Sequence, residues 1–176
     1  MLLQLFHVWR DFFIVTATAA ATLVGAMFVV VSIATGIITR ERSAGSHAYL
    51  TSTVVHLGAA LLASLLTMAP SVTWLSFAGA LTAGGIVGVI YVAILSRAVA
   101  KFSMDWTDML WYSALPIIGY LAMLGAGVLG FAANFYAVEA LAAASVLLLI
   151  CGVRNAWDMI MIFAMRPKHP DDKPQS

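Results

Sequence analysis

From Ser43 to Ser96 the chain runs for 54 residues without an aspartate, glutamate, lysine or arginine. A membrane span takes about 20 apolar residues, so this run has to cross a bilayer, turn and cross back. Pro70-Ser71, preceded by Thr67-Met68-Ala69, is the natural turn, because proline ends a helix and a short polar residue accepts the reversal. Uncharged runs also extend from Phe12 to Thr39, from Met109 up to Glu139 and from Ala140 to Val153. The predicted fold class is all-α, a polytopic membrane protein forming a five-transmembrane-helix bundle. Its spans lie near residues 12–39, 48–69, 73–97, 109–133 and 138–165. One bundle, residues 1–165, then accounts for the chain up to a tail at 166–176, whose three prolines and five charges read as disordered.

Composition removes the alternatives. The chain is 62% hydrophobic and 10% charged, against about 25% charged residues in soluble domains, and its mean hydropathy is +0.98. The runs are continuously apolar, whereas an outer-membrane barrel needs strands of alternating polarity. Met1 to Trp9 lacks a basic n-region, and the apolar segment after Arg10-Asp11 is too long for a signal peptide. With five spans, Arg40, Arg42, Arg97, Lys101, Arg166, Lys168 and Lys173 share one side and Arg10 stands alone on the other. The positive-inside rule makes the C-terminus cytoplasmic and the N-terminus external. These cations are topogenic flanks, and a net charge of +1 gives no case for nucleic acid.

Helices in lipid associate where small residues let backbones approach. Gly25 in the first span, Gly84 and Gly88 in the third and Gly125 in the fourth are the candidate packing glycines, serving the bundle itself, a homo-oligomer or a membrane-protein partner. Trp106, Trp111 and Tyr112 on one side, and Trp74, Phe135 and Tyr136 on the other, read as interfacial belts in contact with the lipid bilayer. Pro116 predicts a kink in the fourth span.

Two features call for chemistry. Arg154 and Asp158 stand four residues apart in the last span, on one helix face, where a guanidinium reaches a carboxylate. An ionisable group at membrane depth is a candidate site. Counted back from Arg166, Asp158 lies roughly 12 Å deep and Arg154 roughly 18 Å. Counted from Ala48, His56 also lies roughly 12 Å deep, and Ser32 reaches a similar level. Ser32, Ser52, His56, Asn155 and Asp158 are therefore candidates for one polar layer. Ser52 and Thr53 also offer His56 a local hydrogen bond, and a satisfied structural histidine stands beside a proton relay or a metal ligand. For Arg154 and Asp158 three readings stay open. One is an internal ion pair, with Asn155 and Trp157 donating to backbone carbonyls. The second is an interfacial amphipathic segment from Arg154 to Met165, and the third a functional charge pair.

Signatures of enzymes are absent from the sequence: no Gly-rich phosphate loop, no HExxH, no serine nucleophile elbow and no acidic cation-binding loop. Asp105 and Asp108 read as an acidic N-terminal turn of the fourth span. Cys151 is the only cysteine, which rules out an intrachain disulfide and a thiolate metal cluster. A bis-histidine haem lacks a second histidine at depth, since His7, His47 and His169 fall near or outside the interfaces. No catalytic residue, metal or cofactor is expected.

The stretches Gly152-Val-Arg-Asn-Ala-Trp-Asp158 and Phe12-Phe-Ile-Val-Thr-Ala-Thr-Ala-Ala-Ala-Thr-Leu-Val-Gly-Ala-Met-Phe28 resemble a group of small bacterial inner-membrane proteins. These have an Ala/Thr-rich first span and an Arg-x-Ala-Trp-Asp motif in the last. The resemblance implies a bacterial inner-membrane location and supplies no reaction. Short loops, few ionisable groups and abundant small residues point to a non-enzymatic subunit or modulator acting through helix packing. The alternative is a small ion or proton channel or transporter using the His/Asp/Arg layer.

Overall fold

A computed structural model describes residues 2–34, 43–99 and 106–164. The basic residues Arg40, Arg42, Lys101, Arg166, Lys168 and Lys173, together with Asp105, His169 and the tail 166–176, lie outside the described residues. So do the side chains of His47 and Asp108. The helices are α1 (Leu2–Ala34), α2 (Ser43–Met68), α3 (Trp74–Val99), the short α4 (Trp106–Met109), α5 (Leu115–Phe131) and α6 (Tyr136–Ala164). A π-helical turn, Leu110–Ala114, joins α4 to α5. Five helical segments are long and apolar enough to cross a membrane, with the π turn and α5 together forming the fourth.

One expected boundary moves. The first helix begins at Leu2, ten residues before the expected start, because Arg10 and Asp11 are exposed on its surface and nothing between Leu2 and Ala34 breaks a helix. Its extra turns carry Phe6 into the core, where it meets Phe77 of α3 with ring centroids 5.3 Å apart. The last helix continues unbroken to Ala164, so no separate interfacial helix starts at Arg154.

The connections explain themselves locally. After α2, the Pro70-Ser71 turn leads into a reciprocal cap. Ser76 N–H donates to Thr73 Oγ1 at 3.2 Å and Thr73 N–H donates to Ser76 Oγ at 2.9 Å, satisfying two donors that a helix start otherwise leaves open. After α5, Asn134 N–H reaches Leu129 O at 3.1 Å and Ala133 N–H reaches Gly130 O at 3.0 Å, the two bonds of a Schellman cap. Ala133 takes the left-handed position that glycine usually fills, at φ 49°. Asn134 then caps α6 through Tyr136 N–H at 3.0 Å.

Packing does not follow chain order. α6 is the central helix, against α2, α5 and α1, while α3 docks on α5 and scarcely touches α2. The α3/α5 seam is closed by glycines: a Cβ at Gly85 would lie 2.7 Å from the backbone nitrogen of Leu124, and one at Gly127 or Gly88 would overlap Thr82 or the Tyr120 ring. A Cβ at Gly84 would make only ordinary contact, 3.5 Å from Met123 Sδ. A Cβ at Gly25 or Gly125 would meet nothing within 4 Å, so neither of these two candidate packing glycines is a close contact among the described residues. Because α3 leans on α5, a groove of about 640 Å³ stays open between α2 and α3, floored by Tyr120 and Met123.

Candidate functional site

The expected single polar layer divides in two. The inner part centres on His56, fully buried on α2. Its Nε2 lies 3.0 Å from Ser52 Oγ, one turn back, and its Nδ1 lies 3.0 Å from the Tyr120 hydroxyl on α5. A neutral imidazole donates from one nitrogen and accepts at the other, so the chain Ser52–His56–Tyr120 is satisfied with its protons running in either direction. Tyr91 of α3 interacts with Ser52 and lines the α2/α3 groove with Tyr120. Tyr120 sits this deep because Gly88 has no side chain to exclude its ring. Both ring nitrogens of His56 are engaged, so coordination of a metal there would first have to break one of these bonds. Among the described residues, no three His, Cys, Asp or Glu side chains come together as a metal site.

The outer part is built on the π turn. Proline lacks an N–H and its ring collides with the carbonyl four residues back. Pro116 is the second residue of α5, and immediately before it Leu115 N–H bonds to Leu110 O, five residues back. The fourth span therefore takes up one extra residue as a π turn, a device common at functional sites. The turn aims three side chains at neighbours. The Tyr112 hydroxyl donates to Asp158 Oδ2 at 2.5 Å, the Trp111 ring lies under the Arg154 guanidinium at 5.9 Å, and Ser113 pairs with Ser96 of α3 at 2.8 Å. Arg154 meets the other carboxylate oxygen at 2.9 Å, the two side chains being 39% and 22% exposed. Asp158 thus has both oxygens engaged.

The apolar span of α6, Tyr136–Asp158, has 23 residues, or roughly 35 Å, against a hydrocarbon thickness of about 30 Å. The helix itself runs on through residues 159–164, which places Asp158 six residues before its end, with Trp111 and Trp157 beside the ion pair.

The remaining candidates fall elsewhere. Ser32 is exposed on α1 and donates to Phe28 O at 2.8 Å, turned outward rather than toward the buried His56. Asn155 is buried, yet neither its amide oxygen nor its amide nitrogen has a hydrogen-bond partner among the described residues, which replaces the expected donation to a carbonyl. Trp157 is exposed on the outer surface of α6. Reasoning from sequence passed over Tyr120 and Tyr91 and placed Trp111 and Tyr112 only in a belt. One signal was available: a phenol in mid-span needs a partner, and His56 is the polar residue with a ring nitrogen to spare. A search of protein-family models, curated proteins and solved structures finds no match to this chain.

Proposed function

We propose that this chain is a non-enzymatic subunit or modulator of another membrane component, which it engages by receiving a transmembrane helix of that partner in the α2/α3 groove. The groove is the observation that carries this reading. Two consecutive helices that ought to pack are held apart, and small residues stand on both walls among larger ones: Gly58 and Ala59 on α2, Ala80 and Gly84 on α3. Small residues allow the close backbone approach on which helix association in lipid depends. Leu62 and Val87, also in the groove, are left largely exposed, ready to interleave with a partner's side chains. The one-sided distribution of basic residues supports a cytoplasmic C-terminus, and the resemblance to small inner-membrane proteins supports a bacterial inner membrane.

A photo-crosslinking residue at Leu62 should give one discrete adduct in native membranes, lost when Gly84→Leu fills the groove. The same residue at Val128, exposed on α5 outside the groove, should give none. Equal labelling at both positions, or an adduct indifferent to Gly84→Leu, refutes the reading. An adduct of twice the chain's mass identifies the partner as a second copy.

A second reading, a proton pathway, rests on the Ser52–His56–Tyr120 chain and on the Asn155 amide of α6, buried and without a partner among the described residues. Asp158, held by Arg154 and Tyr112, is outside that chain. Proteoliposomes should then leak protons in a manner abolished by His56→Leu and unaffected by Asp158→Asn; leakage at the level of empty liposomes removes this reading.

A further inference from the structure

A second groove, of about 620 Å³, opens on the far side of α6, where Trp111 of the π turn faces the stripe Val146, Leu149, Ile150 and Val153. Its volume falls in the range of sites for single small molecules. Val146, Ile150 and Val153 recur at helical spacing on one face and are each exposed, giving an apolar strip roughly 11 Å long. Arg154 and Trp157 close its end. The strip is thus apolar along its length and ends at a cation.

We propose that this groove seats one anionic phospholipid, with an acyl chain along the Val146–Val153 strip and the phosphate on Arg154. Three observations select that occupant. First, the guanidinium has five N–H donors, and among the described residues its one acceptor is Asp158, reached through a single nitrogen. Second, the Tyr112 hydroxyl takes the other oxygen of Asp158, so the carboxylate is shared between two donors and meets Arg154 through one oxygen only. Third, the walls are bulky valine, leucine, isoleucine and tryptophan, which keep a helix backbone at a distance but conform to a flexible chain. Trp111 and Trp157 flank the cation, as indoles do at the headgroup boundary.

The test is native mass spectrometry of the full chain released from micelles loaded with equal phosphatidylglycerol and phosphatidylcholine of matched acyl chains. Wild type should retain phosphatidylglycerol in about tenfold excess, the scale of one charge-assisted contact. Arg154→Gln should abolish the excess. Ile150→Trp, which fills the strip without touching the cation, should abolish retention of both lipids. Arg97→Gln, which removes an exposed cation on another helix, should keep the excess. Wild type retaining the two lipids equally, or Arg154→Gln keeping the excess while eluting as a folded monodisperse species, overturns the proposal. Excess lost equally in Arg97→Gln also overturns it, since the preference then belongs to net charge and not to the groove.

Discussion

Replacing Gly88 by alanine adds one methyl group at the most crowded point of the α3/α5 seam. The new Cβ would overlap Cγ, Cδ1 and Cε1 of Tyr120, a ring only 2% exposed and held from its far end by His56. Two relaxations are open to the protein. Separating the helices is overpacking, at about 1–3 kcal/mol. Swinging the ring breaks the hydrogen bond to His56 and leaves buried polar groups unpaired, at about 1–3 kcal/mol. Both are engaged in part, and alanine returns about 1 kcal/mol of helix propensity over glycine, so the net destabilisation is about 2 kcal/mol. At about 2–4 °C per kcal/mol for a chain of this length, the apparent unfolding midpoint in detergent should fall by roughly 4–8 °C. Scans at one fixed rate keep the comparison valid where unfolding is irreversible. Gly125→Ala is the control, since its Cβ meets nothing within 4 Å, and its midpoint should hold or rise slightly. In a Tyr120→Leu background the cost of Gly88→Ala should largely vanish, which assigns it to the ring. If Gly88→Ala melts with the wild type, the Gly88–Tyr120 contact does not shape the bundle as described.

Three further outcomes follow from the same geometry. Asn155→Leu should leave the midpoint unchanged or raise it, because it removes two unpaired polar atoms from the core; a fall of several degrees would show that the amide has a bound partner, and buried water would be the first candidate to examine. Tyr112→Phe should lower stability by about 1 kcal/mol, below the usual value for a hydrogen bond to a charged group because the carboxylate is part-exposed. The companion variant Asp158→Asn should make the loss at Tyr112 smaller in a double-mutant cycle, and strict additivity would contradict a direct bond. Ala133→Gly should raise the midpoint by the equivalent of about 1 kcal/mol, since glycine adopts the left-handed cap position without a Cβ penalty; no change or a loss would place the strain elsewhere.

The five spans were legible because apolar run length alone separates a crossing from a loop. The start of α1 was not, because Arg10-Asp11 looked like a boundary in a linear reading, whereas a helix accepts two charges on an exposed face. Contacts within one helix were equally readable: Ser52 with His56, and Arg154 with Asp158, both follow from a spacing of four. What depth counting lacked was rotation. It brought Ser32 to the level of His56 without revealing that the side chain points outward, and it gave no hint that a tyrosine 64 residues away completes the histidine's bonding. Rotation of the fourth span was further hidden by the π turn, so Trp111 and Tyr112 read as a belt when they also serve as the underside of the Arg154–Asp158 pair.

That turn also resets phase. Each residue of an α-helix advances the face by 100°, and the extra residue absorbed between Leu110 and Ala114 shifts everything on its N-terminal side by about that angle relative to α5. Deleting one residue there would restore a straight helix of nearly the same length and hydropathy while turning Trp111 and Tyr112 away from α6. Two chains could therefore share every hydropathy peak and present different surfaces to the lipid, distinguished only by whether the count through this segment is one longer or one shorter.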